Sequence, residues 1–115
     1  MTTITTRRGN YYGDTTDNHI FEITDEQGIA AELYINPQHL VIMNIEVRED
    51  RRGEGLARAL YEHADQALSG IYHMPAWGCT EDGAKFAEAM GGDILDDETA
   101  AELTGTDISF LTDEF

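Results

Sequence analysis

The sequence predicts an α/β fold, and three observations carry that prediction: period-two apolar patterning from His19 to Val47, helical spacing of apolar residues from about Gly55 to Leu68, and strands and helices that alternate thereafter. With 115 residues the chain is long enough for one modest core and too short for two, so a single compact domain over residues 1–115 is expected.

The elements follow in order. Phe21 and Ile23 alternate with Glu22 and Thr24; after a turn at Asp25-Glu26-Gln27-Gly28, Ile29, Ala31, Leu33 and Ile35 alternate with less apolar neighbours, which predicts a hairpin. A second turn, Asn36-Pro37-Gln38-His39, leads into Leu40 to Val47. The continuous apolar start of that segment predicts a strand buried on both faces and central in the sheet. Leu56, Leu60, Ala64, Ala67 and Leu68 form the apolar stripe of a helix facing the sheet. Ser69-Gly70 ends it, Ile71 to Met74 reads as a short strand, and Pro75 to Cys79 as a loop. Thr80 or Asp82 is suited to cap a second helix closed by Gly91-Gly92. Asp96 or Asp97 starts a short third helix from Glu98 to Leu103, before a last apolar stretch, Ile108 to Leu111.

Composition narrows the function classes. There are 23 acidic residues against 7 basic ones, a net charge of −16, which disfavours direct nucleic-acid binding because phosphate contacts need a basic surface. No apolar run approaches the roughly 20 residues that span a bilayer, and the N-terminus carries no apolar stretch after its arginines. With one cysteine, Cys79, no internal disulfide is expected, which fits a reducing cytoplasm. His19, His39 and His63 lack metal-ligand spacing, and no metal site is expected. Four of the seven basic residues, Arg48, Arg51, Arg52 and Arg58, fall between positions 48 and 58, either as one cationic spot for a polyanion or as ion-pair partners of Glu46, Glu49, Asp50 and Glu54.

That basic segment contains the chemistry-bearing motif. A strand, a loop with Gly53 and Gly55, and the first turn of a helix make an anion site, since helix-start N–H groups lack partners and glycine admits close approach to the backbone. Two glycines before a helix are also often only a tight turn. The loop is neither a P-loop, lacking Gly-Lys-Ser or Gly-Lys-Thr, nor a dinucleotide fingerprint, having Arg58 where a third small residue belongs.

Arg52-Gly53-Glu54-Gly55-Leu56-Ala57 resembles the [Q/R]-x-x-G-x-[G/A] motif of the GNAT superfamily of N-acetyltransferases, between a strand and an amphipathic helix as in that family. Thr80 to Gly92 is similar to the family's second acyl-CoA-side helix, so the resemblance covers residues from roughly 20 to 95. It implies a mixed, mostly antiparallel central sheet flanked by helices, and acetyl-CoA as cosubstrate. The backbone around Arg52, Gly53, Gly55, Leu56, Ala57 and Arg58 would hold the pyrophosphate. The main chain of Ile45 and Val47 would run beside pantetheine and polarise the thioester carbonyl. Thr80 stands where many members have asparagine. Ala87 stands where many have the tyrosine that protonates the leaving thiolate, and Arg8 to Asn18 is too short for the two helices that usually shape the acceptor pocket. The acceptor side is then open or completed by a second subunit, as in a homodimer.

Two residues are candidates for taking the proton from an attacking amine: Glu46 on the strand before the loop, and His73, expected to contribute more because imidazole titrates near neutrality. Their alternatives are a solvent-facing strand residue or arginine partner for Glu46, and a packed structural histidine for His73. The expected acceptor is a primary amine of a cationic small molecule or protein, drawn by the acidic surface. Two other functions stay open at this point: a non-catalytic acyl-CoA-binding module, favoured by Ala87, and an acidic inhibitor on the same scaffold, favoured by the charge.

Overall fold

The computed structural model describes residues 3–9 and 17–105, so the apolar stretch Ile108 to Leu111 and most of Arg8 to Asn18 lie outside the described residues. The chain falls into two compact units, Met1–Tyr72 and His73–Phe115.

The first unit carries a four-stranded antiparallel sheet, β1 (Ile4–Gly9), β2 (Asn18–Asp25), β3 (Gly28–Ile35) and β4 (Ile42–Val47), in the spatial order β1-β2-β3-β4, followed by helix α1 (Leu56–Ala67). The β2–β3 hairpin is where the period-two pattern places it. β1 has no apolar alternation to announce it: four of its six residues are exposed, and it is held by register with β2 from Ile4↔Ile23 to Gly9↔Asn18.

Register sorts the two faces of the sheet. Phe21, Leu33 and Ile45 lie side by side on one face, and α1 packs on β2, β3 and β4. Leu56, Leu60, Tyr61 and Ala64 are the buried residues of α1, and His63 meets Phe21 edge to face with ring centroids 5.8 Å apart. The opposite face aligns Glu22, Glu32 and Glu46 across three strands.

The strand buried on both faces is β3, not β4. Ala30, Ala31, Leu33, Tyr34 and Ile35 are all buried, whereas β4 is half-buried with Glu46 exposed, and β4 ends the sheet instead of lying at its centre. The apolar run Leu40 to Met43 misleads because two of its members are not ordinary strand residues. Leu40 takes a left-handed turn conformation at φ 54°, and the register slips between Tyr34↔Asn44 and Ile35↔Ile42, leaving Met43 as the extra residue of a bulge. Asn36, 4% exposed, builds the turn: its side-chain oxygen accepts from the Gln38 and His39 N–H groups, and its backbone bonds Leu40 and Val41.

Instead of a short strand over Ile71 to Met74, there are two single bridges. Tyr72 pairs in parallel with Val41 in the first unit, and His73 pairs in parallel with Ile94 in the second. The second unit otherwise comprises a 3-10 turn, Ala76–Gly78, and helices α2 (Glu81–Met90) and α3 (Asp97–Thr104). Thr80 and Asp96 cap these helices, accepting from the N–H groups of Gly83 at 3.1 Å and Thr99 at 3.0 Å. No helix among the described residues is long and apolar enough to cross a membrane.

Candidate anion-binding loop and strand edge

The Met43 bulge decides what β4 presents at its outer edge. Before it, the Ile42 N–H points away from β3 and donates to Tyr72 O at 2.9 Å, while Tyr72 N–H donates to Leu40 O at 2.8 Å. Beyond it, Arg48 N–H donates to Ala30 O at 2.8 Å, so by antiparallel alternation Glu46 and Asn44 also bond β3. The N–H and C=O groups of Ile45 and Val47 therefore turn outward. The extra residue both ends the pairing with Tyr72 and reverses the phase of the strand.

Val47 leads through Arg48 and a 3-10 turn, Glu49–Arg51, into the glycine loop. Gly53 and Gly55 have φ of +83° and +79°, a left-handed conformation that other residues adopt only with strain. A Cβ built on either meets nothing within 4 Å, so the space above both is open. Gly55 is the N-cap of α1 and offers no side chain to the first-turn N–H groups of Leu56, Ala57 and Arg58. Ile45, Val47, Arg52, Gly53, Gly55, Leu56, Ala57 and Arg58 thus form one continuous run of strand edge, loop and helix start within the first unit.

The arginines divide into two groups. Arg48 and Arg51 are about three-quarters buried and fully engaged: both hold Asp25 in the β2–β3 turn, Arg48 also pairs with Asp50 at 2.6 Å, and Arg51 with Glu54 at 2.8 and 3.1 Å. A shallow cleft of about 320 Å³ lies on this network, lined by Asp25, Glu26, Gln27, Arg48, Asp50 and Arg51. The ion-pair alternative therefore holds for these two. Arg52 pairs with no carboxylate among the described residues; its Nε donates to Val47 O at 3.1 Å, folding the guanidinium back over the strand edge. Among the described residues Arg58 makes only an exposed 3.3 Å pair with Glu62, one helical turn on, of a kind worth about 0.3–0.5 kcal/mol.

Asp25 is a residue that sequence reasoning missed. Nothing in its spacing signals arginines 23 and 26 positions away, although a turn aspartate accepting from Gln27 N–H is a familiar local device. Hydrogen bonding to Arg48 is the main cause holding the Asp25 carboxyl well below the usual carboxylate range, and hydrogen bonds to Arg48 and Arg51 lower Asp50 and Glu54. Depressed folded-state values stabilise the fold above the unfolded value of about 4, and this contribution is lost as pH falls. Glu32 works in the opposite sense: burial, then the Glu46 charge, raises its carboxyl. Urea titrations should therefore show the stability gap between wild type and Asp25→Asn constant from about pH 7 to 5 and closing below about pH 4. A gap that does not change with pH would remove the electrostatic account.

The two proton-acceptor candidates sit in different surroundings. Glu46 is exposed on β4, on the face opposite the α1-packed one, beside Glu32. Arg7 relieves the charge row at Glu22 with a 3.1 Å pair, and the Tyr34 hydroxyl lies 3.4 Å from Glu32. His73 is 3% exposed. Its Nε2 lies 2.8 Å from Gly91 O, its N–H donates to Asp93 O, its carbonyl accepts from Leu95 N, and its ring meets Phe86 edge to face. A carbonyl only accepts, so Nε2 carries a proton and donates it to Gly91 O. In the second unit Thr80 caps α2, and Ala87 O accepts from Gly91 N–H at 3.0 Å. Cys79 is half-buried, its thiol 3.3 Å from Met74 O and pushed up by burial, the reverse of an activated nucleophile. No group of three His, Cys, Asp or Glu side chains among the described residues is placed to hold a metal ion.

No known protein family, curated protein or solved structure matches this chain.

Proposed function

We propose that the chain is an acyl-CoA-dependent N-acetyltransferase of the GNAT type, moving an acetyl group from acetyl-CoA to a primary amine. The observation that carries this reading is the phase reversal at Met43. It turns the Ile45 and Val47 backbone outward where β4 leaves Tyr72, and the open glycine loop follows one short turn further along the chain. An extended amide-bearing chain ending in a pyrophosphate matches that order of groups: amides pair with an exposed strand edge, and phosphates with helix-start N–H groups.

Acetyl-CoA supplies the acyl group as a thioester. The Ile45 and Val47 N–H groups hold its amides and polarise the acyl carbonyl, and Gly53, Gly55, Leu56 and Ala57 receive the pyrophosphate, with Arg52 as the cation nearest the strand edge. Arg58 completes the set from the resemblance within the first unit. Glu46, exposed and flanked by Glu32, receives a cationic acceptor and takes its proton. His73, with Nε2 donating to Gly91 O, orders the turn after α2 in the second unit.

Calorimetry with acetyl-CoA, followed by turnover with a panel of amines, tests this. Micromolar binding, and turnover that Glu46→Gln lowers at least about tenfold with affinity unchanged, is the expected result. Absence of binding would remove the reading. Binding without turnover on any amine would favour the second one, a non-catalytic acyl-CoA-binding module, which the alanine at position 87 supports.

A further inference from the structure

The Arg51–Glu54 pair gives the loop a property beyond ligand capture. Arg51 presents its Nε and NH2 edge, the edge with which arginine grips phosphate in two parallel hydrogen bonds, to Glu54 at 2.8 and 3.1 Å. Its remaining nitrogen, NH1, is held by Asp25 at 2.6 Å. Arg48 is in the same condition, with one edge on Asp25 and the other on Asp50. Two guanidiniums beside the glycine loop are thus matched by three carboxylates. Of these, Glu54 alone belongs to the loop, standing between Gly53 and Gly55, whose backbone torsions give this segment its shape. Its side chain is 45% exposed, so releasing it costs little, whereas Asp25 is 25% exposed and tied to both arginines and its own turn.

We propose that Glu54 is an internal competitor for phosphate: it occupies the gripping edge of Arg51, lowers the affinity of the loop for pyrophosphate-bearing ligands, and yields Arg51 to the ligand on binding. The inference rests on the reading of the loop as a pyrophosphate site and adds how that site's affinity is set. Affinity is then the difference between two similar contacts, carboxylate on guanidinium against phosphate on guanidinium, so the site discriminates by charge: a dianionic phosphate displaces Glu54 more readily than a monocarboxylate does. Binding moves a carboxylate and a phosphate past one arginine without any backbone rearrangement.

The test titrates inorganic pyrophosphate and, separately, acetyl-CoA into wild type, Glu54→Gln, Glu49→Gln and the double variant Arg51→Gln/Glu54→Gln, at low and raised ionic strength, with circular dichroism to show that all are folded. Glu49, exposed on the 3-10 turn, controls for removing one negative charge nearby. Glu54→Gln should tighten pyrophosphate binding about tenfold at low salt, the worth of one charge-assisted contact, with the gain shrinking as salt rises. Glu49→Gln should change it less than about twofold, as expected of a screened surface charge, and the double variant should lose the gain. A Glu54→Gln variant that binds no more tightly than wild type, or a Glu49→Gln variant that gains as much, overturns the proposal. A pyrophosphate gain without acetyl-CoA binding upholds the competitor and removes the acetyl-CoA reading; acetyl-CoA binding with no pyrophosphate gain does the reverse.

Discussion

Gly55→Asp is expected to abolish acetyl-CoA binding while leaving the chain folded. The two halves of that expectation have separate causes. Folding tolerates the change because a Cβ at position 55 meets nothing within 4 Å, and aspartate is among the residues that accept a left-handed conformation most readily and is favoured at helix N-caps. On the proposed reading binding does not tolerate it, because the new carboxylate would cap the first-turn N–H groups assigned to phosphate and repel a polyanion from the same point. Two lost hydrogen bonds to a charged group, at roughly 1.5 to 3 kcal/mol each, correspond to a weakening of about 100-fold or more. Gly55→Ala separates strain from charge: it adds only the cost of φ +79° and should bind measurably. Calorimetry on the three proteins decides the matter. Gly55→Asp binding as tightly as wild type would detach the loop from the function.

Leu33→Ala should be the most damaging single truncation in the sheet. Leu33 is 0% exposed, lies between Phe21 and Ile45 across β3, and belongs to the strand with both faces buried. Removing its branched terminus costs transfer energy plus a cavity, together about 2–5 kcal/mol, a large part of the roughly 5–15 kcal/mol that holds a domain of this kind together. Ile29→Ala, on the same strand but 42% exposed, should cost less than about 0.5 kcal/mol. Urea denaturation of both variants would show the contrast; equal losses would mean that the core does not lie where burial puts it.

How much of this was legible in the sequence depends on where the chain departs from regular periodicity. Alternation over Phe21 to Ile35 and the stripe Leu56, Leu60, Ala64 announce their elements, because burial of one face leaves a direct trace in residue order. The glycine loop and the caps at Thr80 and Asp96 are legible because few residue types fill such positions. Bulges are what the sequence hides. The extra residue at Ala30 shifts the hairpin register so that Glu22 faces Glu32, and the one at Met43 decides which amides of β4 face outward. Neither carries a residue-type signature, and each moves every downstream pair by one. Asp25 was hidden for another reason: its partners come from a segment distant in sequence that folding brings beside the hairpin turn.

The parallel bridge between Val41 and Tyr72 carries a consequence for the order in which the first unit assembles. Its antiparallel pairs join strands consecutive in the chain, and the β2–β3 pair closes over a turn of two residues between Asp25 and Gly28. The Val41–Tyr72 contact must instead close a loop containing all of β4, the glycine segment and all of α1. Loop entropy makes that closure about 2 kcal/mol dearer than the tight hairpin, and a single bridge returns only two backbone hydrogen bonds for it. The meander is therefore expected to form before that closure, with the fork between β4 and Tyr72 expected to close late and open early.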